Sequence, residues 1–334
     1  MALTSLATTE LLPLDASRYE RHPLHVSERV WSETNCYVDV WIEVLHALGL
    51  DPLAAASFAL VTDFETDQWT FFKYEPEDLR ELYGIRVFEM NPWRPLLEHV
   101  VEHLAAGRLI TLEADSWYLP DTAGVSYRID RTKSTIVPNL VDPEARRLGY
   151  FHNASYFELE GEDFDGVFRL GDTAQVDALP PYVETVRLDG MHRLDDAELH
   201  ARSVERLRRH LRDLPTTNPV ERLHERLGTD LDAIRADGVD AFHLYAFATV
   251  RQLGASAELS SSYLGWLAER EAGSVDDLRR ASDDLLGLAQ AAKSVQFLLA
   301  RLARGRSVDV DPSFAAMAAA WESATSTVVE RYGR

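Results

Sequence analysis

The feature that most restricts the fold is a change of periodicity near residue 190. Up to about residue 188, aromatic and β-branched runs alternate with Gly, Pro, Asn and Asp turn residues. Beyond it, Ala, Leu, Arg, Glu and Asp recur at helical spacing, as in DDAELHARSVERLRRHLRDL and SVDDLRRASDDLLGLAQAAKSVQFLLARLARG. An apolar stripe at 3.6-residue spacing buries one side of a helix and cannot serve a strand, whose faces alternate. Bounded by Gly, Pro, Ser and Asp, these stretches predict about five or six helices in a bundle. They share no fixed repeat, which argues against a solenoid. The expectation is an α+β domain over residues 1–188 followed by an α-helical domain over 189–334.

Within the first half, WSETNCYVDVWIEVLHAL predicts a helix from about Cys36 to Leu48. Val40, Val44 and Leu48 repeat every four residues, and Gly49 stops the run. EPEDLRELYGI and NPWRPLLEHVVEHLAAG read as two further helices. RLITLEADSWYLP, KSTIVPNLVD and RRLGYFHNASYFELE read as strands, and Pro138 in the second predicts an edge position or a bulge.

Charge and cysteine content narrow the function. Lys and Arg number 34 against 55 Asp and Glu, a formal charge of −21. Such a field repels polyanions, so no nucleic-acid partner is expected. No run approaches the ~20 apolar residues that span a bilayer. No basic start precedes an apolar stretch, so no secretory signal and no membrane partner are expected. A single cysteine excludes an intramolecular disulfide and fits a reducing cytoplasm.

That cysteine is Cys36. Ser32, Thr34 and Asn35 are all suited to cap the helix that it begins. Unpaired N–H groups and the positive helix end favour an anionic sulfur there, and can hold an oxyanion when a carbonyl is attacked. Cys36 therefore suits covalent acyl chemistry, although a small apolar residue packed at a helix start reads the same way. His46 lies about 15 Å along the same helix, too far to act as base. His99 and His103 have metal-pair spacing but no third ligand, so solvated histidines are expected and no metal. His152, on a downstream strand, is the candidate base; its neighbour Asn153 points to the other face of a regular strand. Asp115, at a strand end, either orients a histidine or caps the turn before Pro120. Lys133 is the sole lysine between residues 74 and 292 and suits an anionic group. There is no Gly-x-Gly-x-x-Gly, Walker-type Gly-Lys-Ser/Thr, Gly-x-Ser-x-Gly or Cys-x-x-Cys.

The strings WSETNCYVDVWIEVLHALGLDP, TDQWTFFKY, EADSWYLPDTAGVSYR and LGYFHNASYFELEGEDF resemble the bacterial family catalogued as domain of unknown function 1839. More distantly, the first half resembles the papain-like acyltransferases of butirosin-type biosynthesis. Those enzymes move an aminoacyl group from a carrier-protein thioester to an amine. Cys36 matches their helix-opening cysteine, and Asp115 with Trp117-Tyr118-Leu119-Pro120 matches a strand end. The strand starting near Arg131-Thr132-Lys133-Ser134 should carry the histidine, yet none lies between His103 and His152. The resemblance then leaves three options: His152 as base one strand later, a site without an imidazole, or a chain that only binds.

What the resemblance implies is a transferase with no bound cofactor. Its substrates are the phosphopantetheine arm of an acyl or aminoacyl carrier protein and a small amine. Cys36, His152 and Asp115 form the expected catalytic set. Asn35, Glu33, Trp69, Trp117, Tyr118, Lys133 and Asn153 are expected around the substrate, with Trp31 beside them. A hydrolase using the same cysteine, and a non-catalytic carrier-binding module, are the alternatives. Docking of an acidic carrier needs a basic patch, and Arg208 and Arg209 within RSVERLRRHLR are the candidates. RLARGR at 301–306 is a second candidate patch, although arginines on helices also pair with nearby carboxylates.

Overall fold

The computed structural model describes residues 6–25, 29–33, 35–173 and 179–333, the side chain of Val239 excepted. The chain divides into two units, neither contiguous in sequence. The first comprises residues 1–27, 35–51 and 76–193; the second comprises 28–34, 52–75 and 194–334. Segments 28–34 and 52–75, grouped by composition with the α+β half, thus belong with the helices.

Strands among the described residues are β1 (Thr9–Glu10), β2 (Phe64–Glu65), β3 (Gln68–Trp69), β4 (Arg86–Met90), β5 (Arg108–Asp115), β6 (Lys133–Asp142), β7 (Arg147–His152), β8 (Ser155–Glu160) and β9 (Val183–Arg187). In the first unit, seven of them form one antiparallel sheet in the order β4-β9-β5-β6-β7-β8, with β1 against β6. Both β4 and β9 went unread in the sequence. The long strand β6 is the hub. Its first residues pair with β5, its later ones with β7, and Leu140 and Val141 also pair with β1. Pro138 lacks an N–H, and the register shifts between Pro138 and Leu140, a bulge in a central strand rather than an edge. The extra residue, Asn139, is buried and grips the N-terminal arm, residues 6–25: its side chain bonds both the N–H and the carbonyl of Leu12 at 2.8 Å.

RRLGYFHNASYFELE is a hairpin and not one strand. His152 pairs with Ser155, and the turn between them starts at Asn153 with φ 44°. Asn tolerates that left-handed geometry because its short polar side chain bonds locally.

Helices α1 (Cys36–Ala47), α2 (Pro76–Tyr83), α3 (Leu96–Ala105) and α4 (Glu162–Phe168) complete this unit. Helix α1 packs on β6, β7 and β8. Every residue from Tyr37 to Leu45 is buried, so α1 is covered on all sides and is not a surface amphipathic helix.

The second unit contains α5 (Asp196–His210), α6 (Pro219–Asp237), α7 (Val239–Ala246), α8 (Gln252–Arg270), α9 (Asp276–Ala303) and α10 (Asp311–Tyr332). A π-helical turn, Phe247–Arg251, joins α7 to α8. The antiparallel sheet and this helical region make the protein a mixed α and β chain. Segment 29–33 is pinned to the helices through buried Glu258, which accepts from the N–H groups of Val30 at 2.9 Å and Trp31 at 2.8 Å. Trp31 Nε1 donates to the Ala289 carbonyl at 3.0 Å. A Cβ on Gly254 would fall 2.5 Å from that indole, so only glycine admits the ring. Among the described residues, no helix is long and apolar enough to cross a membrane.

Candidate active site

Cys36 is the first residue of α1, and its side chain is half-buried. Asn35 is the cap: its backbone is extended, and its side-chain oxygen accepts from Val38 N at 2.9 Å. Ser32, a rival for that role, lies in the second unit, and Thr34 lies outside the described residues. The amide of Cys36 has no intrahelical acceptor by the geometry of any α-helix. Its thiol points to Thr135 Oγ1, 3.7 Å away on β6.

The pleat then decides what shares this face. Side chains alternate along a strand, and directly paired residues lie on the same side. Lys133, Thr135, Glu113, Thr111 and Glu184 therefore share the α1 face. Lys133 is exposed and ion-paired to Glu113. Glu184 is buried and accepts three hydroxyls, from Tyr37 at 2.7 Å, Thr111 at 2.8 Å and Tyr182 at 2.9 Å. Burial and the Glu184 carboxylate raise the pKa of Tyr37, so its hydroxyl stays protonated and donates.

Asp39 and Glu43 follow Cys36 at intervals of three and four along α1, and both are buried. His25, from the arm, lies between them: Nδ1 bonds Glu43, and Nε2 is 3.3 Å from Asp39. Burial pulls the His25 pKa down, but the bonds and charges of the two carboxylates outweigh it and lift it to about 9. An imidazolium thus neutralises part of the buried charge near the cysteine. His22 lies beside it with its pKa depressed to about 4, chiefly by burial and then by His46.

The opposite face holds a second constellation. Ser134 and Ile136 alternate with Thr135, and Ile136 pairs with His152. His152 therefore points away from α1 and from Cys36. It is fully buried, with Nε2 2.6 Å from Ser134 Oγ and Nδ1 2.5 Å from Asp121 Oδ2. The other oxygen of Asp121 accepts from Tyr150 at 2.5 Å. The loop carrying Asp121 is seated by Tyr118, whose ring lies 2.1 Å from where a Cβ on Gly166 of α4 would be.

These positions correct several expectations. His152 is not the partner of Cys36, because a strand turns alternate side chains to opposite faces. Asp115 caps the turn that follows β5, accepting from Trp117 N at 3.0 Å, and is paired with Arg131. It orients no histidine. Trp117 and Tyr118 lie under the Arg131 guanidinium, 4.9 and 5.6 Å from their ring centres. Asn153 serves the hairpin turn. Glu33, Trp31 and Trp69 belong to the second unit, where the Glu33 carbonyl accepts from Arg251 and Trp69 packs on Phe64. His99 is buried beside Trp93, and His103 bonds Thr185 at 3.0 Å, so neither is a solvated surface group. Asn35 adjoins Cys36, Thr135 meets its thiol, and Lys133 shares that face of the sheet, with Asp115 paired opposite it. Arg208 and Arg209 are exposed on α5. Thr135, Glu184, Ser134 and Asp121 were missed: the first three matter through strand register, and Asp121 reaches His152 from the turn Pro120–Thr122.

Fold and site thus define a two-unit protein whose sheet bears a helix-borne cysteine on one face and a hydroxyl–imidazole–carboxylate set on the other. The family model described as the DUF1839 N-terminal domain matches residues 20–188, and that of the DUF1839 C-terminal domain matches 196–330. The chain belongs to this family. No curated protein matches it.

Proposed function

We propose that the first unit is a papain-like cysteine acyltransferase. Cys36 takes an acyl or aminoacyl group from the phosphopantetheine thioester of a carrier protein and passes it to an amine. The observation that carries this reading is the place of Cys36: first residue of a capped helix, half-exposed, its thiol against an antiparallel sheet. Helix-terminal N–H groups are suited to hold the oxyanion of the tetrahedral intermediate.

In the first step the sulfur attacks the thioester carbonyl carbon. The bond to the pantetheine sulfur breaks, and the proton lost by Cys36 ends on the departing thiol. In the second step the amine attacks the Cys36 thioester, forming an amide and returning the thiol. A thioester is already activated, so the first step works without a strong base. Lys133 and Glu113, on the same face, supply charges for the carboxylate or ammonium of an amino-acid substrate. Exposed Arg208 and Arg209 are the docking positions for an acidic carrier.

The test is intact-mass analysis after incubation with an aminoacyl-pantetheine thioester. An adduct is expected on the wild type and not on Cys36→Ser. Full transfer activity in Cys36→Ala would remove the reading and leave a carrier-binding module.

A further inference from the structure

We propose that Ser134, His152 and Asp121 form a second, serine-based acyl-accepting site on the sheet face opposite Cys36, acting on small activated acyl groups such as esters or thioesters. The inference does not depend on the role of Cys36. It rests on the chain Asp121 Oδ2–His152 Nδ1 at 2.5 Å and His152 Nε2–Ser134 Oγ at 2.6 Å.

Each link has a direction. Asp121 is a carboxylate that accepts, so the neutral ring carries its proton on Nδ1. Nε2 is then an acceptor, and Ser134 must donate its O–H to it. That is the arrangement in which an imidazole removes a hydroxyl proton as the oxygen attacks a carbonyl. Asp121 is held from both sides, by His152 and by Tyr150, whose pKa is raised by burial and by Asp121 itself, so its O–H stays to donate. His152 and the Asp121 side chain are sealed from water, while Ser134 is half-buried. The serine is thus less buried than the histidine that would act as its base. Directly across the β5–β6 ladder, Ser134 faces Ala114, a side chain too small to cover it.

The step balances without a co-reactant other than water. Ser134 Oγ bonds the acyl carbon and gives its proton to His152 Nε2, which passes it to the leaving group as the C–O or C–S bond breaks. Water, deprotonated by the same nitrogen, then releases the acid and restores the hydroxyl. Ser134 and His152 are the catalytic residues; Asp121 is a positioning residue.

A tie that merely held the Asp121 loop to the sheet would give a folded protein with an inert Ser134. The full chain is therefore treated with a fluorophosphonate, and the adduct is mapped by peptide mass spectrometry, with p-nitrophenyl acetate hydrolysis followed in parallel. An adduct on Ser134 is expected, together with ester turnover that Ser134→Ala abolishes while its melting temperature stays near that of the wild type. His152→Gln is expected to slow labelling by roughly 100-fold or more. Folded wild-type protein that acquires no adduct at Ser134, or labelling that His152→Gln leaves unchanged, would overturn the proposal. The wild-type result decides the matter even if the His152 variant does not fold.

Discussion

The two faces of the β5–β8 sheet solve different problems with neighbouring residues. Thr135 and Ser134 are adjacent in sequence, yet one meets a helix-borne thiol and the other an imidazole. The α1 face relies on a helix end to favour negative charge, and it stores ionic groups: Asp39, Glu43 and His25 beneath α1, and Glu184 under three hydroxyls. The opposite face relies on a linear relay, in which Asp121 accepts from Tyr150 and His152 and no Lys or Arg takes part among the described residues. A cysteine can be activated by its place in a helix; a serine needs a base. The difference teaches that a nucleophile and a histidine read from one sequence need not share a site.

The largest expected effect separates the faces chemically. Cys36→Ala should lower thioester-dependent aminoacyl transfer by about 1,000-fold or more, read as initial rate, while changing the melting temperature little. Equal loss on altering Thr135 and Ser134 would merge the two faces into one site.

The next effect is on stability. Replacing His152 with Ala removes one of the two donors to the buried Asp121 carboxylate, leaving Tyr150 alone, and empties the space of the ring, at a cost of about 3–5 kcal/mol in urea unfolding. Glu184→Gln, on the α1 face, keeps shape and some acceptor capacity and should cost about 1–3 kcal/mol. The reverse order would contradict the burial described for the two networks.

A pH effect of similar size isolates the ionic α1 face. His25 has its pKa lifted to about 9 in the folded chain, against an ordinary value near 6.5. A raised value means that stabilisation is complete below about pH 6.5 and is lost as pH climbs through 9. The loss is on the order of 3 kcal/mol, and His25→Gln should flatten it. The groups facing His25 include Asp39 and Glu43 on α1 and His22 in the arm. His22, depressed to about 4, acts at the other end: below about pH 6.5 the unfolded chain takes up a proton that the folded chain refuses. Denaturant midpoints measured from pH 5 to 10 read both limbs.

The smallest expected effect lies in the second unit. Reversing charge at Arg208 and Arg209 should weaken carrier binding several-fold at low salt and hardly at all at high salt. Unchanged affinity at low salt, measured by calorimetry, removes α5 as the docking face.

Much of this was legible in the sequence, for physical reasons that also set its limits. The start of α1 could be read because capping residues and the apolar spacing that follows are local signals, although Ser32, Thr34 and Asn35 were equal candidates for the cap that Asn35 provides. The helical character of the C-terminal half could be read from its period, but the break expected between Ala255 and Ser260 falls inside α8, which runs unbroken from Gln252 to Arg270. Pro138 announced an irregularity because proline cannot donate in a ladder. What could not be read depends on pairing across the chain. The side to which His152 points follows from its partner, Ile136, and the bulge at Pro138 shifts which residues meet. The turn at Asn153 was invisible because flanking residues on both sides have strand character. That Glu33 and Trp69 join the helical unit was not legible either, because composition says nothing about which unit a segment joins.

The separation of the two faces is tested most directly by alkylating the folded protein with iodoacetamide at neutral pH and then offering both probes. The account predicts that Cys36 is modified faster than a free thiol. The modified protein should then form no adduct with an aminoacyl thioester, yet still acquire a fluorophosphonate on Ser134. Slow alkylation of Cys36, or its alkylation abolishing the adduct at Ser134, would contradict two nucleophilic sites on opposite faces of one sheet.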